Sequence, residues 1–207
     1  MGIAERRQRE REARREAVLE AARSLVRERG FTGTTTRLIA ERCELSEATL
    51  FFYFRGKDEI LSSLLFEGID FTAAGLQAIL AEDVPAETRL ERFWTFLSEV
   101  EAEHPEYFHV FAYLAHPNST RSVDDNVREA LARHSGDNLR LLAEILADAV
   151  GRERARTAAD LVWAAFAGLM VLRETRTNLG AAVHPDANDL RTALELLLGG
   201  IAPKDAP

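Results

Sequence analysis

Apolar residues return along this chain at the three-and-four spacing of helices, and the alternation expected of half-buried strands is absent. A first helix is predicted from the charged N-terminal stretch to about Arg29, because Val18, Ala21, Ala22, Leu25 and Val26 fall on one face. Gly30 ends it. Thr34 to Thr36 offer side-chain oxygens to cap a second helix reaching about Arg42, and Ser46 does the same for a third. After Gly56 a long fourth helix opens with Asp58 and Glu59, whose charges suit the positive end of a helix dipole. Pro85, Pro105 and Pro117 separate a fifth helix at about 86–103 from a sixth at about 106–115. A seventh runs from Asp124 to Val150 and stops at Gly151; an eighth runs from Glu153 to Asn178 and stops at Gly180; a ninth spans Asp186 to Leu198. The expectation is an all-α protein of about nine helices.

Composition narrows this picture. The 207 residues are 46% hydrophobic and 29% charged, ordinary values for a globular chain of one large domain or a small one on a larger one. The longest apolar run, Leu161 to Leu172, is shorter than the roughly 20 residues that span a bilayer, so no membrane partner is expected. The opening MGIAERRQREREARRE is too charged for a secretory signal, which predicts a cytoplasmic protein. Cys43 is the single cysteine, leaving no disulfide framework and no multi-cysteine zinc site. The net charge of −8 is unevenly spread: residues 1–60 carry 13 basic against 11 acidic side chains, and residues 61–207 carry 13 against 23. A near-neutral to basic head on an acidic body suits a protein that meets polyphosphate at one end, although charge runs also arise as plain solvated faces.

The two short helices on either side of Cys43–Leu45 have the arrangement that lays a second helix in a DNA major groove. Within IAERCELSEATLFFYF, Ile39, Ala40, Leu45, Leu50 and Phe54 supply an apolar interior, leaving Ser46, Glu47, Ala48, Thr49, Phe51, Phe52 and Tyr53 as a short outward face. From about residue 17 to 61, AVLEAARSLVRERGFTGTTTRLIAERCELSEATLFFYFRGKDEIL resembles the TetR family of bacterial regulators in its GF turn, paired threonines, IA, serine-capped TL, YF and GK followed by an acid. The resemblance implies a helix-turn-helix DNA-binding domain at 1–56, with residues 1–12 as a flexible basic arm, and a ligand-binding and dimerisation domain at 57–207. Matched by position, Thr36, Tyr53 and Lys57 are implied phosphate contacts. Glu47, Ala48, Thr49, Phe51 and Phe52 are the implied groove-facing set, with Arg37 and Ser46 beside them. Hydroxyls and a lysine can hold phosphates, while threonine and aromatic edges can pack on thymine methyls. A core role for Phe51 is the alternative to the groove-facing one. Two positions depart from the family pattern: Glu44 stands in the turn where glycine is common, and Phe51 where tyrosine is usual. Arg6, Arg7, Arg9, Arg11, Arg14 and Arg15 alternate with Glu5, Glu10, Glu12 and Glu16, which reads either as self-neutralising helix pairs or as a DNA-contacting arm.

The rest of the chain is rich in aromatic bulk. By the same resemblance, a small-molecule effector is expected among Phe66, Trp94, Phe108, Phe111, Trp163, Phe166 and Met170, in a largely apolar pocket. His104, His109 and His116 lie either side of two prolines and are read as surface or pocket-rim histidines rather than metal ligands; no cofactor is expected. No GxSxG, HExxH, Walker or GxGxxG motif is present, so an enzyme is not expected. On the eighth helix Leu161, Ala164, Ala165, Gly168 and Leu172 gather opposite Trp163, Phe166 and Met170, and on the ninth Leu190, Leu194 and Leu197 form a stripe. These two stripes are the candidate interface of a homodimer on double-stranded DNA, unless they pack on each other within one chain.

Overall fold

A computed structural model describes residues 2–108, 124–181, 192–193 and 195–196. No strand occurs among the described residues. Seven helices have defined bounds: α1 (Ile3–Gly33), α2 (Thr36–Arg42), α3 (Glu47–Tyr53), α4 (Lys57–Ala81), α5 (Ala86–Glu103), α6 (Asp125–Val150) and α7 (Arg152–Asn178). Residues 105–108 are also helical, as are the four described residues between 192 and 196; the remainder of the expected sixth and ninth helices lies outside the described residues. The chain forms two compact units, Met1–Gly68 with Pro105–Leu131, and Ile69–His104 with Ala132–Pro207. The division thus runs inside α4 rather than ahead of it, because Ile60, Leu61, Leu64 and Leu65 of its first half are buried like the core of the head.

In the first unit α1, α2 and α3 pack on one another. Val18, Ala22, Leu25, Val26, Ile39, Leu50 and Phe54 are almost wholly removed from water, and burying each large aliphatic or aromatic side chain is worth about 1.5–3 kcal/mol. The predicted stop at Gly30 is a kink: at φ 67 its backbone is outside the helical region, in a conformation that strains any residue with a Cβ, and one further turn then runs to Gly33. Thr34, fully buried, satisfies its hydroxyl by donating to the Gly30 carbonyl at 2.9 Å. Residues 3–12 of the expected arm are helical and continuous with α1.

Ion pairs tie α1 to its neighbours. Arg27 forks onto the buried carboxylate of Glu106 through Nε at 3.1 Å and Nη2 at 2.9 Å. Arg23 donates to Glu67 of α4 at 3.0 Å and to Glu16 at 2.5 Å. Arg42 of α2 grips both oxygens of Glu28 at 2.5 and 2.7 Å. These hydrogen bonds hold the Glu28 carboxyl at about 2, well below its usual 4.5.

In the second unit the core comprises Leu76 and Ile79 of α4, Phe93, Trp94, Leu97 and Val100 of α5, Leu142, Ile145 and Leu146 of α6, and Ala158, Ala159, Val162 and Phe166 of α7. Each set follows helical spacing, which is why these segments fold as amphipathic helices. Gly75 is required by contact: a Cβ there would run into the Phe96 ring. Arg89 of α5 bridges to Asp148 of α6 at 2.9 Å, and Asn138 donates to the Ile69 carbonyl at 2.9 Å. By length and composition alone α4 and α7 are apolar enough to cross a membrane, although neither contains an unbroken apolar run of that length. Each nonetheless buries an apolar face within the protein, and α4 carries Asp58, Glu59, Glu67 and Asp70, charges that are costly in hydrocarbon.

Because folding lowers the Glu28 carboxyl, its pair with Arg42 contributes fully above pH 4.5 and is lost as pH falls towards 2. In acid unfolding, Glu28→Gln should be less stable than wild type at neutral pH and should lose less further stability over that window. Parallel curves for the two proteins would show that the pair does not act.

Candidate nucleic-acid interface

The site is built from two short helices and the turn between them. Thr35 caps α2 by accepting from the Leu38 amide at 3.2 Å. At the other end the Glu44 amide donates to the Glu41 carbonyl at 3.2 Å and the Leu45 amide to the Ala40 carbonyl at 2.9 Å. These are the paired bonds of a Schellman turn, which demands a left-handed residue after the cap. Glu44 takes that conformation at φ 56, so the turn keeps its left-handed form without glycine, and among the described residues no other non-glycine has positive φ. Ser46 then caps α3 by accepting from the Thr49 amide at 3.1 Å, and the two hydroxyls lie 2.8 Å apart. Thr36 Oγ1 donates to Glu47 Oε1 at 2.7 Å, pinning the start of α3 to the start of α2.

Of the seven residues in α3, Leu50 alone is buried. Ser46, Glu47, Ala48 and Thr49 are exposed, and so are Phe51 at 49% and Phe52 at 72%. Phe51 is therefore not a core residue in this structure. Arg37 is exposed and paired with Glu41 at 2.9 Å; Thr36, Tyr53 and Lys57 are half-buried. Burial lowers the Lys57 ammonium from its usual range, partly opposed by Asp58. All ten residues of the expected DNA-facing set thus lie on the first unit, around one short helix.

Sequence reasoning did not foresee what fastens the far end of α3. Arg15 of α1 donates to the Tyr53 carbonyl, and its guanidinium lies 4.0 Å over the Phe54 ring. One turn earlier, Arg11 stands 6.0 Å from the centroid of Phe52, which meets Tyr53 edge-on at 5.3 Å. A contact across 38 residues has no signature in local spacing.

The expected pocket residues are divided between the units. Phe66 and the half-buried Phe108 belong to the first, where Phe66 joins Arg55, Asp58, Glu59, Ser62 and Ser63 in lining a cleft of about 460 Å³. Trp94, Trp163, Phe166 and Met170 belong to the second. There Phe166 is edge-on to Trp94 at 6.4 Å and stacked with Trp163 at 6.2 Å. The buried Trp94 Nε1 has no acceptor among the described residues. Phe111 lies outside the described residues. On α7, Leu161, Ala164, Gly168 and Leu172 are exposed and Ala165 is half-buried, while Leu190, Leu194 and Leu197 lie outside the described residues or have no described side chain. Among the described residues, no group of three or more His, Cys, Asp or Glu side chains could hold a metal.

A short, exposed helix held after a tight turn on a three-helix base defines a helix-turn-helix head. Residues 18–64 match the profile described as "Bacterial regulatory proteins, tetR family". Over 48 residues the chain is 42% identical to the HTH-type transcriptional regulator YvkB of Bacillus subtilis (strain 168), covering 23% of this chain and 25% of that relative. The chain therefore matches a quarter of that relative's length. Two solved structures extend the likeness to the whole fold. The fatty acid degradation regulator FadR from Bacillus halodurans superposes with TM-score 0.69 at 17% identity, covering 91% of this chain and 96% of its own. The TetR family transcriptional regulator PfmR from Thermus thermophilus gives TM-score 0.68 at 21% identity, covering 90% and 99%. The head thus matches the tetR profile over residues 18–64, and the chain shares its helical fold with these two regulators.

Since a left-handed non-glycine residue costs roughly 1–2 kcal/mol, Glu44→Gly should stabilise the head by about 1 kcal/mol after the added chain entropy of glycine. Thermal unfolding of the full chain checks this, and an unchanged or lowered Tm would show that Glu44 is not strained.

Proposed function

We propose that this protein is a homodimeric DNA-binding transcriptional regulator, a repressor released from a palindromic operator by a small, largely apolar ligand. The observation that carries the reading is α3 itself, which spends one side chain on its own core and turns Thr49, Phe51 and Phe52 outward from a capped, matched helix-turn-helix. So small a helix with two exposed aromatic rings needs a partner surface, and a major groove admits a helix. In this reading Thr36, Tyr53 and Lys57 position the head on phosphates, while Glu47, Ala48, Thr49, Phe51 and Phe52 face base edges. Arg37 and Ser46 flank them. Its site of action is the cytoplasm, where its operator lies.

Ligand sensing falls to the second unit, where the Trp94, Trp163 and Phe166 rings cluster beside an indole N–H that lacks an acceptor among the described residues. A buried donor left without a partner costs about 1–3 kcal/mol. A mainly apolar molecule with one acceptor oxygen would relieve that cost, in keeping with the fatty acid degradation that the similarly folded FadR regulates. Release requires the ligand to prefer the DNA-incompetent state, since equal affinity for both states shifts nothing. The dimer is supported by α7, whose Leu161 and Leu172 are 44% and 42% exposed around the small residues Ala164 and Gly168. Nothing would obstruct a Cβ at Gly168, so another helix can approach there closely.

Selection of bound fragments from the source genome by the purified full chain should yield a palindrome. On it, Tyr53→Phe and Lys57→Ala should weaken binding by similar factors for selected and random duplexes, because phosphate contacts carry little sequence information. Thr49→Ala should instead narrow the gap between the two, and an equal loss on both would remove Thr49 from the groove.

Gly168→Arg should convert dimers into folded monomers with weaker, non-cooperative operator binding, as read by light scattering and circular dichroism. A stable dimer with full cooperativity would move the interface elsewhere.

A further inference from the structure

The N-terminal turns of α1 carry a second cationic surface beside the recognition helix. Along residues 5–16 every carboxylate is engaged by something other than Arg7, Arg11 or Arg14. Glu5 accepts from the Gly2 amide at 2.9 Å, Glu10 pairs with Arg6 at 3.6 Å, Glu12 accepts from Gln8 at 2.7 Å, and Glu16 from Arg23 at 2.5 Å. Arg7, Arg11 and Arg14 have no carboxylate partner among the described residues. At 100° per residue these three fall within about 60° of one another, on one stripe of the helix. That stripe is anchored at α3: Arg11 stands over the exposed ring of Phe52, and Arg15, one turn on, holds the Tyr53 carbonyl and covers Phe54. All three stripe residues are exposed.

We infer that Arg7, Arg11 and Arg14 form an additional DNA-backbone contact, in which the helical arm lays its arginines along phosphates next to those approached by Tyr53 and Lys57. Arg7 and Arg14 are separated by roughly 10 Å along the helix axis, close to the rise of three base-pair steps at about 3.4 Å each. The guanidinium presents a planar set of donors suited to phosphate oxygens. Self-neutralisation, the competing reading of the arm, does not hold for this face, because its acids are turned to other partners. The contact rests on the DNA-binding reading above, and it adds affinity without sequence preference.

The test measures binding of the full chain to a random-sequence duplex of about 30 base pairs and to the selected operator over a range of potassium chloride concentrations. Arg7→Gln/Arg14→Gln is compared with wild type and with the charge-matched control Arg140→Gln/Arg156→Gln, with folding checked by circular dichroism. Each lost phosphate contact lowers the slope of log K against log salt by about 0.9. The arm variant should therefore lose close to 2 from the slope and bind both duplexes more weakly by the same factor, while the control keeps the wild-type slope. A wild-type slope in the arm variant overturns the contact and leaves the regulator reading intact. Loss confined to the operator overturns it too, since that would make the arginines readers of bases. Absence of wild-type binding to either duplex removes the regulator reading and the arm contact with it.

Discussion

A seven-residue helix cannot hold itself in water, because nucleation costs more than so few backbone bonds return. α3 is such a helix, and Leu50 is its one buried residue, so its existence depends on how its two ends are tied. The Ser46 cap and the Thr36–Glu47 bond hold the beginning; the Phe54 side chain, buried after the last turn, and Arg15 on the Tyr53 carbonyl hold the end. This economy leaves the remaining side chains free to face outward. A longer helix would have a larger core of its own, but fewer of its residues would be available to a partner.

The strain in the turn belongs to the same constraint. Holding α3 directly after α2 requires a reversal within three residues, and the paired bonds of the Schellman turn achieve it at the cost of a left-handed Glu44. Around this point the head is stiffened by ion pairs rather than by further apolar burial. Arg27 on Glu106, Arg23 on Glu67 and Arg42 on Glu28 each connect α1 to a different segment. The first of these closes on a carboxylate that is 1% exposed. Breaking a buried ion pair of this kind by removing one partner costs about 3–5 kcal/mol.

The helices with defined bounds, and most of their ends, were legible in local pattern. Val18 to Val26, Leu50 with Phe54, and the alternation of caps and glycines follow from periodicity and backbone chemistry that act over a few residues. The outward face of α3 could be read for the same reason, because on so short a helix the faces are assigned by angle. Phe51 was the exception: a ring is as suited to a core as to a groove, and its exposure depends on which helix lies behind it.

The order of helices and the faces each one presents follow from the amino-acid order alone, since these are properties of neighbouring residues. Tertiary structure alone decided which distant groups meet. The tail reads either as self-neutralising pairs or as a DNA-contacting arm until Glu16 is seen to turn to Arg23 and Arg11 to rest on Phe52. The aromatic residues expected to share one pocket read alike in sequence, yet Phe66 and Phe108 fall in one compact unit and Trp94, Trp163 and Phe166 in the other. Local spacing states how a side chain points from its own helix; only the packed chain states what stands opposite it.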